Sequence, residues 1–200
     1  NCISTIPNKI CQLTKLESLN CAHNRISHFP ESLGAIETLA ELSLVGNPLQ
    51  SPSAILAEKH FSIIKDYFEQ LFKSRVTRAL NLRGKFMIEF HFEWEEQMMH
   101  MSLQSIDLHN NMLSSIPQQI SAFCSHSLVE LQLDYNQLSN SIWDVIQDLV
   151  LLTHFSSSHN VLSSVPDSVS GLTCLKFLNL SFNHIRELDQ SFANLTRLSA

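Results

Sequence analysis

The residue types that hydrolases use for nucleophilic catalysis occur together at one place in the chain. Ser105, Asp107 and His109 alternate along a short segment. Alternation with a period of two puts all three side chains on the same face of an extended strand. Catalysis also needs a water-excluding pocket around the nucleophile and its base. One open strand face supplies no such pocket, so we predict that the chain is not an enzyme.

A second group of residues has the chemistry of metal ligands. His91, Glu95, Glu96 and His100 lie close together in the sequence. Their spacing differs from the H-E-x-x-H pattern, which aligns two histidines on one face of a helix. We therefore interpret these side chains as surface charge, and we predict no metal and no cofactor.

The elements that position these residues follow a repeated pattern. Residues 175–188 read L-x-x-L-x-L-x-x-N-x-L-x-x-L, with the asparagine at Asn183. The same frame recurs at six earlier asparagines: Asn160, Asn136, Asn111, Asn47, Asn24 and Asn1. Successive asparagines are 23 to 25 residues apart, except for one step of 64 residues between Asn47 and Asn111. This pattern and period are the signature of leucine-rich repeats.

The physical logic of the repeat predicts the fold. The leucines on either side of one strand residue, such as Leu178 and Leu180, point to the same face and cannot be buried within one repeat. The asparagine side chain can satisfy backbone groups that the following turn leaves unpaired. We therefore predict an α/β solenoid, shaped like a horseshoe, with a parallel concave sheet.

The long step from Asn47 to Asn111 contains a change of period. Ile64, Tyr67, Phe68, Leu71 and Phe72 have helical spacing. The sequence predicts one inserted amphipathic helix of about five turns, starting at Ser51 as N-cap with Pro52 next, that covers the edge of the first array. The predicted organisation is a first array over 1–50, a capping helix over 51–75 and a second array over 76–200.

The second array begins with a degenerate repeat. Leu80-Asn-Leu82 fits the strand pattern, but Lys85 stands where the asparagine should be. Beyond it, Ile88, Phe90, Phe92 and Trp94 alternate with polar residues, which predicts an additional strand.

The segments between strands carry a more specific motif. Ile6-Pro-x-x-Ile-x-x-Leu13 and its equivalents at Phe29-Pro, Ile116-Pro and Val165-Pro resemble the intracellular, Ras-group-related class of leucine-rich repeat proteins, which includes Shoc-2 and Scribble-like scaffolds. Residues 46–49 and 64–71 are similar to the array ending of that class. The resemblance covers nearly the whole chain and implies a binding module or scaffold in signalling, without transferable site residues.

The net charge, the length of the apolar runs and the cysteines limit the possible partners and the cellular location. The net charge of −6 disfavours nucleic acid, and no apolar run reaches the length of a membrane span. Five cysteines without a C-x-x-C pair favour a reducing compartment, although the sequons at Asn179 and Asn194 favour the opposite. We predict a cytoplasmic, monomeric module, and we interpret the chain as an excerpt of a longer protein.

The concave positions of the strands are the predicted binding surface. Asp107, Glu130 and Asp134 are predicted to form an acidic patch on adjacent strands, with Tyr135 and Phe177 nearby. Interfaces favour such aromatic anchors with polar surroundings, whereas an ordinary solvated face is the alternative. The predicted partner-binding residues are Asp107, His109, Glu130, Gln132, Asp134, Tyr135, His154 and Phe177.

The sequence leaves the biological setting open. The predicted function is a protein-protein interaction scaffold whose partner it does not identify. One alternative is the sensor segment of a larger kinase or GTPase. Another is the ectodomain of an extracellular receptor.

Overall fold

The fold of the chain is known here from a computed structural model that describes residues 1–50, 52–90 and 102–199. The backbone divides into two compact units. Unit 1 contains residues 1–77 and 85–87, and unit 2 contains residues 78–84 and 88–200. The predicted division into 1–50, 51–75 and 76–200 remains a prediction.

Unit 1 contains two repeats and two helices. Its strands β1 (Ser18–Asn20) and β2 (Glu41–Ser43) pair in parallel, with Leu19 opposite Leu42. Short 3-10 helices occupy Asn8–Gln12 and Glu31–Ala35. Each follows a proline, whose fixed φ and missing N–H suit the start of a helical turn.

The predicted inserted helix is two helices in the structure. Helix α1 (Ala54–Ala57) is capped by Ser53, whose hydroxyl accepts a hydrogen bond from the Leu56 N–H at 3.2 Å. Helix α2 (Phe61–Thr77) follows after a short break. The prediction of one continuous helix was therefore wrong. The predicted N-cap residue, Ser51, lies outside the described residues.

The apolar face of α2 packs as its spacing predicts. Ile64, Tyr67, Phe68 and Leu71 are buried, whereas Phe72 is exposed. The helix lies against the 3-10 helix Glu31–Ala35. A side chain at Gly34 would collide with the Phe68 backbone, which explains why glycine stands where the two elements meet.

Lys85 stands at the position of a repeat asparagine but bonds a side chain of helix α2. Its ammonium group is largely buried and donates a hydrogen bond to the Asp66 carboxylate of α2 at 2.5 Å. Burial raises the pKa of Asp66, but hydrogen bonds from Gln70 and Lys85 outweigh it and hold that pKa below its usual value. In unit 1 this lysine therefore anchors a helix to the segment 85–87.

Unit 2 is a five-stranded parallel sheet in sequence order. Its strands are β3 (Ala79–Asn81), β4 (Ser105–Asp107), β5 (Glu130–Gln132), β6 (His154–Ser156) and β7 (Phe177–Asn179). The inward residues Leu80, Ile106, Leu131, Phe155 and Leu178 are in register. Together with β1 and β2, these confirm all seven predicted repeat strands and the solenoid fold.

The other side of unit 2 is built of short helices. They are α3 (Gln119–Cys124), α4 (Trp143–Ile146) and the 3-10 helices Asn140–Ile142, Asp167–Gly171 and Gln190–Asn194. The additional strand predicted from Ile88 to Trp94 is not formed in its described part, residues 88–90. Its remaining residues, and the cluster from His91 to His100, lie outside the described residues.

The asparagines join successive repeats through their side-chain amides. Asn136 Nδ2 donates to the Leu108 and Leu133 carbonyls, each at 3.0 Å, while its Oδ1 accepts from the Leu113 N–H at 3.0 Å. Asn160 and Asn183 make the equivalent bonds one and two repeats later. Each amide thus satisfies buried backbone groups of its own repeat and of the preceding one.

Asp134 is a second polar link between repeats. Only 8% of this residue is exposed. Its Oδ1 accepts from the Ser156 hydroxyl at 2.5 Å and from the Ser158 N–H at 2.6 Å. Burial raises the pKa of Asp134, but these hydrogen bonds and the nearby His109 outweigh it and keep the pKa below its usual value.

Removing one repeat asparagine should destabilise unit 2 strongly. We expect Asn136→Ala to lower the free energy of unfolding by about 3 kcal/mol, because three buried backbone groups lose their partner. Urea unfolding followed by circular dichroism measures this loss. The exposed Asn194 provides the control, since Asn194→Ala should change the free energy by about 0.5 kcal/mol or less. Equal losses in both variants would contradict the bridging role.

The Asp134 carboxylate should make stability depend on acid pH. A carboxylate with a lowered pKa stabilises the fold above its usual pKa, and this contribution disappears as the pH falls through the folded-state pKa. We expect Asp134→Asn to lose about 2 kcal/mol at pH 7, with a smaller difference from the unchanged protein below about pH 4. Urea unfolding across pH 3–7 tests this, with the exposed Asp148→Asn as control. A difference that stays constant with pH would argue against it.

Candidate functional site

The strands of unit 2 bring the predicted site residues onto one surface, which we call the sheet face. Parallel register places Ser105, Glu130, His154 and Phe177 in one row across the sheet. Gln132 and Asp107 belong to the next row, which Ser156 and Asn179 continue. Side chains two residues apart on a strand share a face, so both rows lie on the same side. The predicted strand positions are thus brought together.

The predicted three-carboxylate patch takes a different form in the structure. Asp107 is in register with Gln132, and Glu130 with Ser105, so these two carboxylates lie in different rows. Asp134 is buried and bonded to Ser156 and Ser158. The expectation of three accessible carboxylates was therefore wrong, because Asp134 serves the packing between repeats.

A cavity of about 180 Å³ opens on the sheet face. Its walls and floor are formed by Glu130, Leu131, Gln132, His154, Phe155, Ser156 and Phe177. The rings of His154 and Phe177 lie nearly parallel, with 25° between their planes and 6.2 Å between their centroids. Phe177 is 46% exposed, so an apolar ring surface and a carboxylate border the same space. We call this space the Glu130 cavity.

The carboxylate of Glu130 is held by neutral groups. Its Oε1 accepts from the Gln132 amide at 2.7 Å and its Oε2 from the Ser105 hydroxyl at 3.2 Å. Asp107 accepts from the backbone N–H of His109 at 2.9 Å. Among residues 1–50, 52–90 and 102–199, the ion pairs involve other carboxylates. The negative charge of Glu130 is therefore without a cationic partner in the described part of the chain.

A second aromatic feature lies where the chain leaves the strands. Tyr135, His159 and Phe182 each precede a repeat asparagine and have positive φ values of 55°, 51° and 54°. This shared left-handed conformation aligns their rings in a column. The Tyr135 and His159 centroids are 4.0 Å apart, and those of His159 and Phe182 are 4.1 Å apart. We call these three residues the ring column.

His109 lies at the end of the ring column. Its ring centroid is 5.1 Å from that of Tyr135, and its Nδ1 is 3.7 Å from the Asp134 carboxylate. Tyr135 is 48% exposed and Phe182 is 73% exposed. Of the predicted residues, Tyr135 thus belongs to the ring column and His109 adjoins it.

Two residues of the ring column escaped the sequence interpretation. His159 and Phe182 are not among the predicted partner-binding residues. The signal was present in the sequence, because both precede a repeat asparagine as Tyr135 does. Comparing that one position across repeats would have found the column.

Metal ligands and membrane-spanning helices are two further features of interest in the described residues. Within them, no group of three or more histidine, cysteine or acidic side chains could hold a metal ion. No helix in the described part of the chain is both long and apolar enough to cross a membrane.

Sequence comparisons identify the repeats independently of the geometry. One leucine-rich repeat family model matches residues 126–185, and a second one matches residues 15–36 and 102–123. Lumican of Gallus gallus is 27% identical over 187 residues, which cover 91% of this chain and 48% of lumican. The chain thus spans about half the length of this relative.

Solved structures show the same fold. A leucine-rich repeat protein of Leptospira interrogans superposes with a TM-score of 0.60 at 26% identity, covering 100% of this chain and 45% of its own. The ectodomain of the Arabidopsis receptor kinase HAESA, solved with an N-terminally extended IDA peptide hormone ligand, gives a TM-score of 0.52 at 27% identity. That match covers 98% of this chain and 31% of HAESA.

These matches correct the expected location. Lumican is a secreted matrix proteoglycan and the HAESA match is a receptor ectodomain, so the comparisons point outside the cell and the cytoplasmic prediction was wrong. They give no support to the intracellular Shoc-2 and Scribble-like class. The repeats, the parallel sheets and the matches together support a broader family assignment than that class. The chain is a leucine-rich repeat protein.

Proposed function

We propose that the chain is a protein-binding module and that its partner contacts the sheet face and the ring column of unit 2. The observation that carries this proposal is the exposure of large rings beside polar groups. Tyr135, Phe177 and Phe182 are between 46% and 73% exposed. Aromatic anchors with a polar rim are typical of protein interfaces, where a few such residues contribute most of the affinity.

The packing of unit 2 also supports the proposal that the sheet face binds a partner. The inward strand residues Ile106, Leu131 and Phe155 are fully buried, so their packing in the described part of the chain does not depend on a cover over the sheet face. Strand backbones hold the outward side chains in fixed positions, which lowers the entropy that binding must overcome. Among the described residues this surface of mixed chemistry is open, which fits recognition better than catalysis in an enclosed site.

The comparisons favour one biological setting for this module. HAESA is a receptor kinase whose leucine-rich repeat ectodomain is solved with a peptide hormone ligand. We therefore place the chain in an extracellular assembly or receptor rather than in a nucleic-acid complex. The identity of the partner and the monomeric state belong to the proposal as expectations.

Site-specific photo-crosslinking tests the proposed surface. A photoreactive benzoylphenylalanine replaces Gln132 or Asn179 on the sheet face, or the exposed Ser168 on the 3-10 helix Asp167–Gly171 as control. Each variant is mixed with proteins of the source organism, prepared from cells and from medium, and irradiated. We expect the same protein to be crosslinked from Gln132 and Asn179 but not from Ser168. Crosslinking from Ser168 alone, or equally from all three positions, would move the interface elsewhere.

Charge reversal on the sheet face should weaken that crosslinking without unfolding the chain. We expect the double variant Asp107→Lys and Glu130→Lys to shift Tm by about 3 °C or less and to lose most of the crosslinked product. Asp134 is left unchanged, because replacing its buried carboxylate would destabilise unit 2. Thermal denaturation and product yield measure the two effects. Unchanged yield in the folded variant would rule out a contribution of these carboxylates.

A further inference from the structure

We infer that the Glu130 cavity binds the guanidinium group of an arginine that an extended segment of the protein partner carries. This inference rests on the proposed function and adds the chemistry of the partner to it. It follows from three independent features of the cavity: its unpaired charge, its ring surfaces and the hydrogen-bonding capacity of its polar groups.

The first feature is the charge. An ionised carboxylate offers about four lone-pair sites, and Glu130 uses two of them for Gln132 and Ser105. One site remains on each oxygen, which is the arrangement that a planar guanidinium fork engages with two parallel hydrogen bonds. In the described part of the chain no lysine or arginine pairs with Glu130, so this place is open to a cation from outside.

The second feature is the pair of rings. Phe177 and His154 border the same cavity as Glu130, and their planes differ by 25°. A guanidinium group is flat and weakly hydrated, so it can lie against an aromatic face while it bonds a carboxylate at its edge. The ammonium group of lysine is compact and strongly hydrated, and it gains less from such a surface.

The third feature is the remaining hydrogen-bonding capacity. Gln132 Nε2 already donates to Glu130, and the Ser156 hydroxyl already donates to Asp134. The oxygens of both side chains remain available as acceptors. The lining is otherwise mainly apolar, and the polar oxygens in it are acceptors, which suits a flat, weakly hydrated group with N–H donors better than an anion.

The position of the cavity identifies the ligand as part of a chain. The cavity lies on the open sheet face, and its volume of about 180 Å³ suits one side chain. The exposed Tyr135 and Phe182 follow β5 and β7, the strands that carry Glu130 and Phe177, so a partner that inserts an arginine into the cavity can also contact these rings. An extended segment lying across the strands can therefore place one arginine in the cavity.

NMR titration of the isotope-labelled whole chain tests the inference with defined probes. The probes are Nα-acetyl-arginine methylamide, its neutral citrulline analogue and its lysine analogue. We expect the arginine probe to shift the resonances of Glu130, His154 and Phe177 saturably, with a roughly millimolar dissociation constant. The citrulline and lysine probes should bind at least about tenfold more weakly. Equal shifts with citrulline or lysine would overturn the guanidinium assignment.

Two variants and a matched control locate the binding. We expect Glu130→Gln to weaken the arginine probe about tenfold and Phe177→Leu to weaken it about fivefold. Glu41 on β2 is the control, because it occupies the same repeat position and accepts from Ser18 as Glu130 accepts from Ser105. Glu41→Gln should leave the affinity unchanged. An equal effect of Glu41→Gln, or none of Glu130→Gln in the folded variant, would place the probe elsewhere.

The outcome separates this inference from the proposed function. Crosslinking of a partner from Gln132 and Asn179, with no specific shift by the arginine probe, would refute the arginine pocket and leave the binding module in place. Specific arginine binding without any crosslinked partner would uphold the pocket and refute a protein interface on this face.

Discussion

The bridging of repeats by asparagine side chains is the interaction on which the rest of the structure depends. A turn that ends each strand leaves backbone N–H and C=O groups inside the stack, away from water. Asn136 satisfies such groups in two successive repeats, with three of its hydrogen bonds at 3.0 Å. Buried backbone groups without partners are costly, so each repeat is stable only beside its neighbour. That dependence fixes the register of the parallel strands, and the register fixes which side chains meet on the sheet face.

The candidate site is a consequence of this regular spacing. Positions that recur every repeat become rows and columns in space, so a ring at one position comes within stacking distance of a ring at the same position in the next repeat. His159 lies between Tyr135 and Phe182 for this reason. Where the residue types differ along a row, as from Ser105 through Glu130 to His154 and Phe177, a carboxylate and two rings share one cavity. The scaffold is generic, whereas the surface is particular to this chain.

The sequence predicted the strands well because a single periodic constraint determines them. Leu131 and Leu133 had to face inward, so the residue between them had to face outward. The middle residues of β2 to β6 are buried as this reasoning predicts, whereas Leu19 of β1 and Leu178 of β7 are half-buried. Features outside the period were missed. The break between α1 and α2 lies at residues 58–60, where the His60 ring nitrogen Nδ1 accepts a hydrogen bond from the Ser62 N–H at the start of α2. Lys85 pairs with Asp66, and Asp134 bonds Ser156 and Ser158 of the next repeat. Such pairings depend on distances between side chains, which a one-dimensional pattern does not contain.

Hydrogen exchange of single amides measures the mutual support of the repeats most directly. The N–H groups of Leu113, Leu138 and Leu162 donate to the asparagine Oδ1 of the following repeat rather than to a strand. If the asparagine bridges hold the stack together, these amides exchange as slowly as the strand amides of Ile106 and Leu131, through the same global unfolding. Exchange at the rate of exposed turns, with the strand amides still protected, would show that the repeats stand without the bridges and would contradict this account.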